Sequence, residues 1–350
     1  MKHIVYTKTG MWKFYHDSRL GICFYEPEQT TPMILFEGGL EDFSVICNEK
    51  SEIFLICQDD RNSIWLFFYD RKKWSKNCIF ESKTIMPYKK SFQLISVNDW
   101  ILAFYTIKHQ NKYMLVHHIL NSEQNPDIIE QSDTAIIFSV TKDLNNNIHC
   151  VYLKDNIVQK IFNWSSKSWG CLLTVAEISG EILNLCAITD SNNELHFTYS
   201  ARYKKDYSVC YGNKTGIQEL IYGASVNPMP VIFYDKEFYI LFKMSGRLLK
   251  TSSENPDSGF FKPSYYFPGS FSNHDIFKLS SPVPLSDFGI YMNEIYGTEL
   301  RPDRFEAAVI GERLNEIDFK LPTVPKEQPF DIEKFVDNSV PFEKNDESPE

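Results

Sequence analysis

The chain has 350 residues, of which 43% are hydrophobic, 23% charged and 15% aromatic, so collagen-like, coiled-coil and disordered classes are excluded. The net charge of −10 is uneven: residues 315–350 hold ten acidic residues and four lysines, or −6, and the remainder carries −4. The longest basic clusters, Arg71–Lys73 and Lys89–Lys90, are too short for a nucleic-acid-binding face, and no apolar run reaches the roughly 18 residues of a membrane-spanning helix. We therefore expect no nucleic-acid partner and no membrane span.

The amino-terminal residues 1–8 have the pattern of a β-strand rather than of a secretory signal, which needs an uninterrupted apolar core. This pattern favours a cytoplasmic location. The eight cysteines form no C-x-x-C pair, and most of them lie inside apolar runs. That usage favours reduced core cysteines over a disulfide framework, and the ligand spacing of a zinc site is missing. We expect no metal and no cofactor.

A polar turn followed by a strand-like pentad recurs along the chain. The clearest copies are Ile148–Tyr152 after Asn145–Asn147 and Leu195–Tyr199 after Asn192–Glu194, which begin 47 residues apart. In chain order, similar pentads begin at residues 11, 53, 100, 148, 195, 238 and 288. The mean spacing between successive starts is near 46 residues. Because helical patterning is nearly absent, the chain is predicted to be an all-β repeat protein.

Each repeat contains about four short strands. In the second repeat these are residues 43–47, 52–58, 63–69 and 75–80, separated by polar turns. Four strands in a repeat of about 46 residues are typical of a β-propeller blade. In the pentad at 53–57, the residues on each face of the strand are apolar. Both faces must therefore be covered, as they are when blades pack face to face around a ring. Two stacked β-sandwiches are the alternative, although they predict no regular period.

Seven repeats divide residues 1–314, with bounds at 1–38, 39–85, 86–131, 132–178, 179–224, 225–270 and 271–314. We predict a β-propeller of seven four-stranded blades, or of six blades if the atypical first and last repeats share one. Residues 315–350 form an acidic tail with five prolines and no strand alternation, which is predicted to be disordered. Within the tail, Phe330 and Phe335 are candidate residues of a docking motif for a protein partner.

Two segments resemble blades of known propellers. Residues 143–152, Asp-Leu-Asn-Asn-Asn-Ile-His-Cys-Val-Tyr, and their copy at 190–199 resemble the sialidase-like group of bacterial β-propellers. Residues 69–74, Tyr-Asp-Arg-Lys-Lys-Trp, are similar to the Tyr-Asp…Trp hairpin of kelch-type blades, without the glycine pair of that family. The chain has no Asp-box, and no motif selects three of its arginines as a carboxylate-binding triad. The resemblance therefore implies the fold, and no catalytic residue is assigned.

Two pairs of polar residues recur at equivalent positions. His149 and His196 occupy the same place in neighbouring repeats, where another repeat has Phe54. This equivalence favours a packing role over metal binding. Asp143 and Asp190 begin turns, where aspartate is favoured because its side chain bonds to the backbone.

Three tryptophans beside polar hairpins are the candidate binding residues. Trp164 and Trp169 flank the hairpin at 163–169 and would offer an aromatic platform to a sugar or a peptide, and Trp74 stands at a comparable hairpin position. The competing hypothesis is that these rings pack against a neighbouring blade, because most tryptophans are buried.

The leading functional hypothesis is a non-catalytic β-propeller that serves as a protein-interaction platform. The alternative is a carbohydrate-binding or glycosidase-like propeller. The first predicts a large exposed apolar or aromatic patch on one face. The second predicts a concave pocket with two close carboxylates and an exposed ring.

Overall fold

A computed structural model describes residues 2–83, 86–120, 122, 125–266, 274–301 and 304–317. Within these residues the chain forms 29 β-strands, two short 3₁₀ helices (Pro256–Ser258 and Leu285–Phe288) and one α-helix, α1 (Gly311–Glu316). None of the helices described is long and apolar enough to cross a membrane. The predicted all-β class is confirmed.

The strands follow the predicted repeats, each of which is called a unit below. Units 1 to 3 contain β1 (Lys2–Thr7), β2 (Gly10–Asp17), β3 (Gly21–Tyr25), β4 (Met33–Phe36); β5 (Gly39–Cys47), β6 (Ile53–Asp59), β7 (Ile64–Tyr69), β8 (Trp74–Phe80); β9 (Gln93–Val97), β10 (Trp100–His109), β11 (Lys112–Ile119) and β12 (Asp127–Ser132). Units 4 and 5 contain β13 (Phe138–Lys142), β14 (Ile148–Leu153), β15 (Ile157–Asn163), β16 (Ser168–Trp169), β17 (Leu173–Ala176); β18 (Glu181–Thr189), β19 (Leu195–Tyr203), β20 (Asp206–Asn213) and β21 (Gly216–Ala224). Units 6 and 7 contain β22 (Val231–Asp235), β23 (Glu237–Met244), β24 (Arg247–Ser253), β25 (Ser264–Tyr265); β26 (Asp275–Ser280), β27 (Ile290–Met292), β28 (Glu294–Arg301) and β29 (Arg304–Ala307).

Units 2 to 6 are antiparallel sheets whose strands pair in chain order, with unit 6 extended by β27 at the edge of β22. The first strands of units 2 to 5 lie around a central channel. Units 7 and 1 share one sheet, in the order β29-β28-β26-β1-β2-β3-β4, because β26 and β1 pair in parallel. The β-propeller is thereby confirmed. Its seven sequence units form six sheets in the part of the chain that the structure describes.

The core lies between units, as the two-sided apolar strands predict. Every residue of β6 is buried. Leu55 packs in a cluster shared with unit 1, whereas Phe54 and Ile56, on the opposite face, pack in a cluster shared with unit 3. Since each unit buries both faces against its neighbours, the ring holds the hairpins at its two ends in fixed positions.

Candidate functional site

The hairpins between the first and second strands of units 4 and 5 have the same turn. Asp143 Oδ1 accepts hydrogen bonds from the backbone N–H groups of Asn145 (2.9 Å) and Asn147 (2.8 Å). Asn146 is left-handed, with φ 63°, a conformation that asparagine tolerates better than most residues. Asp190 makes the equivalent two bonds, at 2.9 and 2.8 Å. Both aspartates therefore fix the shape of their hairpins.

The two equivalent histidines are tied to these turns. His149 Nε2 lies 3.3 Å from Asp143 Oδ2, and His196 Nε2 lies 3.5 Å from Asp190 Oδ2. Because the side-chain amide of Gln159 donates to His149 Nδ1 at 2.6 Å, the ring proton of His149 is on Nε2 and faces the carboxylate. Burial lowers the pKa of His149, which keeps the ring neutral at pH 7. His149 and His196 thus support their hairpins. The described residues contain no group of three His, Cys, Asp or Glu that could hold a metal.

Trp74 and Trp169 lie at the start of the fourth strands of units 2 and 4 and pack between blades. The ring of Trp74 is 5.7 Å, between centroids, from Phe24 of unit 1. The ring of Trp169 is 5.4 Å from His117 of unit 3 and 5.3 Å from Phe162 of its own unit. The indole N–H groups of both tryptophans are buried without a hydrogen-bond partner in the described structure. Their rings therefore belong to the packing between blades.

Trp164 instead lies beside a tryptophan of the neighbouring unit. The ring centroids of Trp164 and Trp100 are 6.4 Å apart, and their planes meet at 66°. Trp100 is 37% exposed, although the next six residues of β10 are buried. In an antiparallel meander the first and third hairpins lie at the same end, so the β9–β10 and β15–β16 hairpins share one face of the ring. Trp100, Trp164 and the adjacent Lys167 are called the tryptophan shelf below.

The sequence pattern does not single out Trp100, because it opens a strand pentad like those of the other repeats. The usable signal is the polar turn Asn98-Asp99 directly before it. A large aromatic residue that directly follows a hairpin turn lies at the rim of its sheet, where one side of the ring remains accessible.

The shelf is held by side chains of unit 4. The backbone N–H of Trp164 donates to Asn147 Oδ1 at 3.2 Å, and Asn147 Nδ2 donates to Asp143 Oδ2 at 3.0 Å. Within the β15–β16 hairpin, Asn163 Oδ1 accepts from the backbone N–H of Ser166 at 2.9 Å. The hydrogen-bonded turn of Asp143 therefore extends to Trp164, which fixes the Trp164 backbone relative to unit 4.

Lys167 is at the tip of the β15–β16 hairpin and has a left-handed backbone, with φ 53°. Its ammonium group lies over the ring of Trp164 and 5.6 Å from the ring centroid of Trp100. Partial desolvation on the rings lowers the pKa of Lys167. No described carboxylate forms an ion pair with this ammonium group. The shelf therefore combines two aromatic rings with one cation that lacks an acidic partner.

The central channel contains a cavity of about 220 Å³, but many of its polar side chains already connect neighbouring units. Ser139 Oγ accepts a hydrogen bond from the backbone N–H of Ala187 at 3.1 Å. Thr189 Oγ1 donates to the backbone carbonyl of Lys142 at 2.8 Å. Asn293 donates to backbone carbonyls of units 4 and 5. These groups stabilise the ring, so the channel is a weaker candidate site than the shelf.

Phe330 and Phe335 lie outside the described residues, as does the predicted tail from residue 318 onward. Of the residues assigned to the tail, 315 and 316 end α1. The proposed docking motif therefore stays a prediction.

No protein-family model matches the chain, and no curated protein matches it. Among solved structures, the chain is similar to an ulvan lyase of polysaccharide lyase family PL25, with 11% identity over 85% of this chain and 89% of that one, and a TM-score of 0.51. It also resembles the six-bladed lectin of Aleuria aurantia (14% identity, 77% and 96% covered, TM-score 0.43) and AofleA of Arthrobotrys oligospora (11%, 77% and 86%, 0.44). The similarity to the lyase concerns the fold alone. The sheet topology confirms the resemblance to β-propellers, whereas the sialidase-like and kelch-like assignments stay predictions.

Proposed function

We propose that this chain is a non-catalytic β-propeller that binds carbohydrate on the tryptophan shelf. The observation that carries the proposal is the pair Trp100 and Trp164, which come from neighbouring units and lie 6.4 Å apart on one face of the ring. Indole rings have an apolar face on which the C–H groups of a sugar ring can stack, and their large area favours such contacts.

The surroundings of the shelf suit a polar ligand with an apolar face. Exposed residues beside the two rings include Asn98, Asn145, Ser165 and Ser168, all of which offer hydrogen-bonding groups. The hairpin is fixed by the bond from Trp164 to Asn147, so binding orders little further backbone. An exposed ring, Trp100, backed by Trp164 and with polar groups at its margin, is the arrangement expected of a sugar-binding surface.

The carboxylates beside the shelf support binding rather than glycoside hydrolysis. Asp99 is paired with Lys50 at 3.1 Å, and Asp143 is buried within its turn. Hydrolysis requires two carboxyl groups that face one sugar across about 5 to 9.5 Å. Asp99 and Asp143 already have partners within the protein, which does not favour that role.

The protein-interaction platform, the leading hypothesis from the sequence, stays a prediction. It predicts one large apolar patch, but the exposed large hydrophobic side chains of the described residues are spread over units 1 to 6. Examples on units that are not neighbours are Met33, Ile128 and Tyr222, of units 1, 3 and 5. This distribution favours a local ligand site over a broad protein-binding face.

The proposal is tested with a glycan array and with titrations followed by tryptophan fluorescence. We expect the wild-type chain to bind a set of glycans and Trp100→Ala to lose that binding. Phe261→Ala is the matched control, because it removes an aromatic side chain that is 70% exposed but lies in unit 6. A blank array at high protein concentration, or equal binding by Trp100→Ala and wild type, would contradict the proposal.

A further inference from the structure

We infer that the tryptophan shelf selects acidic carbohydrates, in which a carboxylate or sulfate group on the sugar pairs with Lys167. This inference rests on the proposed function, since it names the chemical class of ligand for the same surface. Two observations support it: Lys167 has no ion pair within the described residues, and its ammonium group lies close to Trp100.

The charge of Lys167 is not neutralised by the protein. Two other lysines on hairpins of the same face have acidic partners: Lys50 pairs with Asp99 at 3.1 Å, and Lys214 pairs with Glu194. Lys167 has no such ion pair within the described residues, and aromatic rings occupy one side of its ammonium group. Lys50 pairs with Asp99 beside Trp100, so Lys167 is the cation of the shelf that has no ion pair within the described residues.

The backbone of Lys167 has the left-handed conformation that several hairpins of the ring use. Other hairpins of the ring have Asn98, Asn146 and Asn193 in left-handed conformations, with φ of 53°, 63° and 62°. Asparagine tolerates this region, whereas lysine adopts it at a cost. Lys167 is left-handed at φ 53°. Lys204 and Lys236 are also left-handed at hairpins, with φ of 58° and 64°, so this conformation belongs to the turn, and its effect on the shelf is to fix where the Lys167 side chain leaves the hairpin.

The position of Lys167 leaves one ring for the sugar and one cation for its acidic group. The ammonium group covers Trp164, so the accessible ring is Trp100, which is 37% exposed. The same ammonium group lies 5.6 Å from the Trp100 centroid. A sugar stacked on Trp100 would therefore hold an acidic substituent within reach of Lys167. Such a charge-assisted hydrogen bond is stronger than a neutral one, particularly where the ammonium is partly desolvated.

The experiment compares ligands that differ only in charge. Calorimetric titrations use oligogalacturonate against its methyl ester, and chondroitin sulfate against unsulfated chondroitin that has been carboxyl-reduced. We expect wild type to bind at least one acidic member about tenfold more tightly than its neutral counterpart, with the difference shrinking between about 0.05 and about 0.5 M salt. Lys167→Asn, which keeps the left-handed backbone acceptable, is expected to remove the difference.

The outcomes separate this inference from the proposed function. If Trp100→Ala abolishes binding but wild type does not distinguish acidic from neutral members, the charge inference is wrong and the shelf remains the site. If Trp100→Ala binds as wild type does, the proposed function itself fails. The inference is also overturned if Lys167→Asn retains the acidic preference, or if neither acidic ligand binds at millimolar concentration.

Discussion

Units 2 and 4 have the same hairpin between their third and fourth strands, but they use tryptophan differently. In unit 2, Trp74 pairs with Tyr69 in the last pair of the ladder; in unit 4, Trp169 pairs with Phe162, one pair inside the last pair, Asn163 with Ser168. Four residues lie beyond the ladder in each unit. Both partner tryptophans pack between blades. Trp164 is the first residue beyond the ladder of unit 4 and is half-buried beside Trp100. Trp100 is a ladder residue paired with Val97, yet it is exposed. Neither residue type nor pairing in the ladder therefore decides whether a tryptophan is packed; the side chains that the neighbouring blade places against it do.

The largest expected effect tests this contrast directly. Trp169→Ala removes a half-buried ring that packs against His117 and Phe162, and the loss is expected to cost about 3 kcal/mol of unfolding free energy, the low end for a tryptophan in a core. Trp164→Ala also removes a half-buried ring, but one whose nearest core ring, Phe162, is 6.4 Å away, and it is expected to cost about 1–2 kcal/mol. Urea unfolding of the two variants provides the measurement. Equal losses would contradict the distinction between packed and surface tryptophans.

The packing between units 3 and 4 is also expected to respond to acid through His117 of unit 3. Burial lowers the pKa of His117 to about 3, from the value near 6.5 that it has in the unfolded chain. The folded state keeps the ring neutral, so the unfolded state binds the extra proton. Stability is therefore full above pH 6.5 and is lost as pH falls toward 3, by about 1.4 kcal/mol per pH unit for this one group.

His117→Phe tests the assignment. Both ring nitrogens of His117 lack a hydrogen-bond partner in the described structure, so phenylalanine also removes two unsatisfied polar atoms. The slope of unfolding free energy against pH between about pH 6 and about pH 4 is expected to decrease by about 1.4 kcal/mol per unit. His118, whose pKa burial lowers to about 4, keeps its own contribution in the variant. An unchanged slope would show that His117 titrates normally in the folded chain.

Variants of the two repeated turns, at Asp143 and Asp190, test how the shelf is supported. Asp143→Ala and Asp190→Ala each remove two backbone hydrogen bonds and a histidine contact, and each is expected to cost about 1–3 kcal/mol. Asp143 also bonds to Asn147, which accepts from the Trp164 backbone. Asp143→Ala should therefore change tryptophan fluorescence and ligand affinity more than Asp190→Ala, whose turn is joined to unit 4 through the hydrogen bond from the Leu144 backbone N–H to Asn193 Oδ1 at 2.8 Å. Equal effects of both variants on affinity would contradict a specific link between Asp143 and the shelf.

The sequence predicts the parts of the molecule that depend on local pattern. The period near 46 and the two-sided apolar pentads predict the propeller, because short strands that are apolar on both faces need neighbours on both sides. The parallel pairing of β1 with β26 joins residues more than 270 positions apart, and no local pattern reveals whether the end units share a sheet. Trp100 is missed for the same reason. Its contact with Trp164 exists only because two hairpins of neighbouring units meet on one face.

The smallest expected effect concerns the cation on the shelf. Lys167→Ala loses the cation–π contact, worth about 0.5–1 kcal/mol, and gains nothing at a left-handed position, so it should be less stable than wild type by about that amount. Lys167→Asn loses the same contact but accepts φ 53° at lower cost, so the two contributions offset and stability should stay within about 0.5 kcal/mol of wild type. Paired urea titrations measure the order of the two variants. If the alanine variant is as stable as the asparagine variant, the backbone at Lys167 carries no strain, and the placement of the ammonium group then owes nothing to a conformational cost accepted for binding.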